Sequence, residues 1–91
     1  MNEIKEEKLS RAISAYQRRQ IIRLLSKKEL MVKEIAKETK MSVSLASRHL
    51  KLLYDLGFLS VRKKHPNKFY SVKIAELAEL LDLYDKVITK L

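Results

Sequence analysis

Cysteine is missing from this 91-residue chain. Disulfides, thiolate metal sites and cysteine nucleophiles are thereby excluded, and the composition suits a reducing, intracellular compartment. Glycine and proline occur once each, as Gly57 and Pro66. So few breakers imply long regular elements joined by short connections. No apolar run reaches the length of a membrane span or of a signal-peptide core, so a cytoplasmic protein without a membrane partner is expected. Only two histidines and three aspartates are present, and His49 and His65 have no obvious partner. With no Gly-rich phosphate loop and no nucleophile elbow, an enzyme is not expected, and neither is a cofactor.

What the chain has in excess is positive charge. Twenty Lys/Arg stand against eleven Asp/Glu, a formal net charge of +9. The balance is +5 over Met1 to Lys28, +6 over Glu29 to Lys73 and −2 over Ile74 to Leu91. A small basic protein attracts polyanions, nucleic acid first and an anionic membrane surface second, or its lysines merely aid solubility. The last segment is a poor place to look for the polyanion. Hydrophobic residues make up 46% of the chain, which is enough for one domain with one modest core. There is no internal repeat and no low-complexity linker.

Helical periodicity runs from Asn2 to about Lys28, through Ile4, Leu9, Ile13, Tyr16, Ile21, Leu24 and Leu25. Ser14 divides this stretch into a first helix over 1–13 and a second from about Ala15 to Ser26. After a short KKEL connector, Val32 to Thr39 reads as a short helix, and Lys40 and Met41 as a tight turn. Ser42 is a good N-cap for a helix from Val43 to Leu56, and Gly57 can close it. Phe58–Lys63 and Lys68–Val72 read as two strands. The intervening KHPN is a turn in which Pro66 presets the bend and Asn67 tolerates unusual angles. The last segment, 74–91, reads as a helix. The fold class is mainly α with a small β-hairpin wing, a winged helix-turn-helix of about five helices and two antiparallel strands in a single domain, 1–91.

On a helical wheel of about 100° per residue, Val43, Ala46, Leu50 and Leu53 gather on one side, facing Ile35 and Ala36. Ser44, Arg48, Lys51 and Asp55 fall opposite, with Ser47 beside them. Small hydroxyl residues at a helix front let its backbone approach bases and phosphates. Arg can grip guanine with two hydrogen bonds, and Lys finds phosphate oxygens. An ordinary solvated polar face would look the same taken alone. The hairpin over 58–72, with its RKKHPNK tip, adds specificity to the reading. A basic ribbon beside such a helix can lie on the DNA backbone or reach the minor groove.

The stretch ELMVKEIAKETKMSVSLASRHLKLLYDLGFLSVRKKHPNKFYSV resembles the winged helix-turn-helix core of the ArsR-like bacterial and archaeal regulators. The resemblance is carried by Glu34-Ile35-Ala36, by Ser42, by Ser47-Arg48-His49-Leu50-Lys51-Leu52-Leu53 and by Leu56-Gly57-Phe58-Leu59. RRQIIRLLSK resembles the family's preceding helix. The resemblance implies DNA contacts at the front of the Ser-led helix, here Val43, Ser44, Ser47 and Arg48, with Lys51 further along. Val43 departs from the polar residue usual there, and His49 is read as a packing histidine. Lys33 and the hairpin residues Arg62, Lys63, Lys64, His65, Asn67 and Lys68 complete the candidate set. One metal site of the family uses cysteine in an E-L-C-V run, which reads Glu29-Leu30-Met31-Val32 here. Another uses Asp and His in the last helix, where Asp82 and Asp85 stand without a His. No metal site is therefore expected.

In the last helix Ile74, Leu77, Leu81, Tyr84, Ile88 and Leu91 are spaced 3, 4, 3, 4 and 3, an a/d seam widened by Leu80, Leu83 and Val87. The family dimerises through its terminal helices. The resemblance thus implies a homodimer with Ile4, Leu9, Ile13, Leu77, Leu81, Tyr84 and Ile88 at the contact. Packing of the seam within one chain is the alternative. The resulting expectation is a sequence-specific regulator of transcription bound to double-stranded DNA. It would act as a repressor by occlusion, since no activation region is visible. Two other readings stay open. One is an architectural protein binding DNA without sequence choice. The other is a winged-helix module that binds protein, toward which Leu45 and Leu52 lean. The sequence names no effector.

Overall fold

The computed structural model describes residues 2–91. The elements are α1 (Glu3–Ile13), α2 (Tyr16–Leu25), α3 (Val32–Thr39), α4 (Val43–Asp55), β1 (Leu59–Lys64), β2 (Asn67–Val72) and α5 (Glu76–Thr89). Five helices and one antiparallel hairpin in this order form the winged helix-turn-helix read from the sequence.

Local chemistry explains most boundaries. Asn2 starts α1 by accepting the Lys5 N–H at 3.1 Å, and Glu3 and Glu6 sit in its first turn against the positive end of the helix. Ser14 ends α1, and Ala15 is extended before α2 begins. The last carbonyls of α1 are then covered from α2. Arg18 donates to the Arg11 carbonyl from Nε at 3.1 Å and from Nη2 at 2.8 Å, and Arg19 donates to the Ile13 carbonyl at 2.7 Å. Cations there satisfy orphan acceptors and the helix dipole together.

The turn between α3 and α4 depends on Lys40, whose φ of 58° is left-handed, with the Met41 N–H donating to the Ala36 carbonyl at 3.0 Å. Ser42 then caps α4 by accepting the Leu45 N–H at 3.0 Å. At the far end Gly57 takes φ 94°. Its N–H donates to the Tyr54 carbonyl and the Phe58 N–H to the Leu53 carbonyl, both at 3.0 Å. This paired closure of a helix needs a left-handed residue. A Cβ added at Gly57 would meet nothing within 4 Å, so only backbone conformation opposes a side chain there. Gly57→Ala is expected to destabilise by about 1–2 kcal/mol. A lowered urea midpoint with an unchanged slope would record it.

The strands pair from Leu59↔Val72 to Lys64↔Asn67, leaving His65 and Pro66 as a two-residue loop. Both strands therefore reach one residue nearer the tip than the sequence suggests. Asn67 pairs in the ladder rather than taking unusual angles in the turn. Among the described residues other than glycine, positive φ occurs at Lys40. The connector before α3 also has a partner. Leu30 and Tyr70 exchange backbone hydrogen bonds at 3.1 and 2.8 Å, tying the connector to the free edge of β2.

The core is built around α2, which packs against α1, α3, α4, β2 and α5. Ile21, Ile22 and Leu25 meet Ile35 and Ala36, then Ala46, Leu50 and Leu53, Leu59, and Leu77 and Leu81. Two sequence expectations change here. Val43, which the helical wheel puts on the core side, is the first residue of α4 and is 46% exposed. Leu77 and Leu81, expected at a subunit contact, are 3% and 1% exposed inside the protomer. Tyr84 lies partly buried beneath the Arg19 guanidinium, 5.0 Å from its ring centre. The middle of the a/d seam, Leu77, Leu81 and Tyr84, thus packs on its own chain, while Ile74, Ile88 and Leu91 stay exposed.

Candidate nucleic-acid interface

Ala46, Leu50 and Leu53 anchor α4, which turns the opposite side of the helix outward. Ser44, Ser47, Arg48 and Lys51 are all exposed, and Val43 joins them. Leu45 and Leu52 are half-buried flanks, so the outward side is polar apart from Val43 and the exposed Tyr54. Lys33 is exposed on α3. The free N–H groups of the first turn of α4, with two serines beside them, can face a phosphate or base edges.

The hairpin has two unlike faces, because side chains alternate along a strand. Leu59, Val61 and Lys63 pair with Val72, Tyr70 and Lys68 on the side toward α4. Lys63 and Lys68 line one groove, of about 330 Å³, together with Ser47, Lys51 and Asp55. Lys64 and Asn67 pair on the other face, and His65 is at the tip, all three exposed.

Arg62 stands apart from these cations. Its Nη2 lies 2.6 Å from Glu29 Oε1, and its Nε donates to the same carboxylate at 3.1 Å. The guanidinium also stacks 4.5 Å above the Phe69 ring. The hydrogen bond from Arg62 holds the Glu29 carboxyl below the usual carboxylate range, and the same bond raises Arg62. Arg62 is thus engaged in bracing the hairpin against the connector before α3. Glu29 gave no signal in the sequence, since the two residues are 33 positions apart.

His49 is half-buried on the flank of α4, with its Nδ1 3.5 Å from Arg18 Nη1. Burial pushes its imidazole below the ordinary histidine range, and the charges of Arg18 and Arg48 push the same way. A neutral, flanking His49 agrees with a packing role. Arg18 also donates to Ser14 Oγ at 3.0 Å.

Among the described residues no group of three or more His, Asp or Glu could hold a metal ion. Asp85 is taken by Arg23 at 2.6 Å. No described helix is long and apolar enough to cross a membrane.

A second surface is apolar. A groove of about 790 Å³ runs between α1 and α5, lined by Leu9, Leu56, Phe58, Ile74, Leu80 and Leu83 among others. Further along α5, Leu83, Val87 and Ile88 are 59%, 62% and 49% exposed, and Ile4 of α1 is 68% exposed.

The family model described as bacterial regulatory protein, arsR family, matches residues 16–61, which spans α2 through the start of β1. Among solved structures, the homodimeric winged helix-turn-helix DNA-binding domain Mb0332 of Mycobacterium bovis is similar. The TM-score is 0.82 at 27% identity, over 94% of this chain and 80% of that one. HlyU of Vibrio cholerae is similar with a TM-score of 0.82 at 28% identity, over 96% of this chain and 97% of that one. The transcriptional repressor BigR of Xylella fastidiosa matches in fold, with a TM-score of 0.82 at 21% identity, over 90% and 84% of the two chains. A search of curated protein sequences gives no match.

Proposed function

This chain belongs to the arsR family of bacterial regulatory proteins, and from that premise we propose that it is a homodimeric, sequence-specific DNA-binding repressor. Helix α4 enters the major groove, and Val43, Ser44, Ser47 and Arg48 approach base edges. Lys33, Lys63, Lys64 and Lys68 meet phosphates, with Lys51 close by but paired to Asp55 at 3.0 Å, and His65 and Asn67 lie at the hairpin tip beside the backbone or minor groove. Arg62 serves the hairpin's geometry more than the DNA. The observation that carries this reading is the outward polar side of α4 flanked by exposed lysines of the hairpin.

A second copy supplies the cover for the apolar groove between α1 and α5. Leu9, Leu80, Leu83 and Val87, with Ile4 and Ile88, form the contact, while Leu77 and Leu81 support it from within. An apolar patch of this breadth is unusual on a lone small protein. Two recognition helices about 34 Å apart would read successive major grooves of a pseudo-palindrome. Repression follows by occlusion of the site.

Selection of bound sequences from a random duplex pool tests this directly. The selected site should be a pseudo-palindrome. On it, Arg48→Ala should lose about 1–3 kcal/mol of discrimination against other sequences. Lys64→Ala should weaken binding to selected and random duplexes alike and flatten the salt dependence by about one. Equal losses from both substitutions on both duplexes would remove the division of roles.

A further inference from the structure

Asp55 occupies a place that helix stability does not explain. It is the last residue of α4, where the helix dipole already presents negative charge, and no basic residue sits in that last turn. Its partner Lys51 is four positions earlier, 3.0 Å away. That order, cation before anion, is the weaker of the two possible in a helix. Both side chains are largely exposed, at 78% and 53%, and exposed pairs of this kind add little stability. Yet Asp55 is the one acidic residue lining the groove between α4 and the hairpin, in company with Lys51, Lys63 and Lys68.

We infer that Asp55 is a charge brake on sequence-independent DNA binding. Its carboxylate holds the Lys51 ammonium in an internal pair and keeps it from the phosphate backbone. The inference rests on the DNA-binding reading above. Each lysine that reaches a phosphate releases condensed counterions, and this release supplies essentially all of a protein's affinity for random DNA. A protein with a net charge of +9 risks being held on every duplex it meets. Withholding one lysine per protomer lowers that background while the base-facing Ser44, Ser47 and Arg48 stay free. The brake accepts a poorly placed charge in the fold in return for weaker non-specific retention.

The test uses the full chain with a labelled random-sequence duplex of about 30 base pairs, titrated at several salt concentrations. Asp55→Asn should bind it about three- to tenfold more tightly at 0.1 M salt, with a salt slope steeper by about 0.9 for each bound protomer. In a Lys51→Ala background the same substitution should give little gain. Asp82→Asn, an equal change of charge on α5, should leave affinity nearly unchanged. The melting temperature of Asp55→Asn should not fall. Unchanged affinity and slope in Asp55→Asn would overturn the inference, and so would a gain that persists without Lys51. A gain confined to the selected sequence would make Asp55 a base-reading group instead, since a carboxylate can accept from cytosine. If the unaltered protein binds no duplex even at low salt, the DNA-binding reading itself falls and the brake with it.

Discussion

Replacing Leu83 and Val87 together with glutamine is expected to convert the protein to a monomer and weaken its grip on a selected palindromic site by about 10²- to 10⁴-fold. Both side chains lie on the outer side of α5, 59% and 62% exposed, and take no part in the protomer's core. The protomer should therefore keep its helical content and much of its melting temperature. The loss arises because two linked recognition helices bind the second half-site at high effective concentration, and separated ones do not. Glutamine is chosen because it adds no charge that would alter phosphate binding. Sedimentation reads the mass, and titration of a duplex carrying two half-sites reads the affinity. A mass that stays dimeric would move the subunit contact to another face. A monomer that still binds the full site at the original affinity would show that pairing contributes nothing to recognition.

The opposite pattern is expected of Leu53→Ala. Leu53 is fully buried on the inner side of α4, and its carbonyl receives the Phe58 N–H that closes the helix. Truncating a buried leucine costs about 2–5 kcal/mol, from lost burial and from the cavity left behind. A domain of this size has about 5–15 kcal/mol in total, toward the lower end for short chains. At about 4–8 °C per kcal/mol, the melting temperature should drop by about 10 °C or more. DNA binding should fall only in proportion to the unfolded fraction, and it should recover at low temperature. A stability within about 0.5 kcal/mol of the unaltered protein would mean that α4 is not anchored as described. Together the two experiments separate the apolar stripe that holds the protomer from the one assigned to its partner.

Which apolar side of α5 faces its own chain is a matter of tertiary packing. Leu77, Leu81 and Tyr84 belong to the longer 3-4 run, from Ile74 to Leu91, which reads as a dimer seam. Leu80, Leu83 and Val87 run alongside at similar spacing. Periodicity reports that a helix has apolar sides. Which side meets the same chain depends on where α2 lies, and α2 is some fifty residues upstream. The same holds for Arg62. Its position in a basic tip suggested DNA, whereas its partner Glu29 and the bridge from Leu30 to Tyr70 come from a connector with no strand signal of its own.

Local chemistry, by contrast, was legible at once. Ser42 as a cap, Gly57 as a left-handed stop and the small-then-cationic order of Ser44, Ser47 and Arg48 each act within a few residues of themselves. Torsional preference, hydrogen-bond capping and side-chain period are properties of a short stretch of chain, so α4 and the hairpin could be drawn before any packing was known. The tertiary structure alone decided that Val43 stands free, that Leu77 and Leu81 are buried in the protomer, and that Arg62 pairs with Glu29. Burial and ion pairing are relations between distant segments, and no single stretch of chain carries them.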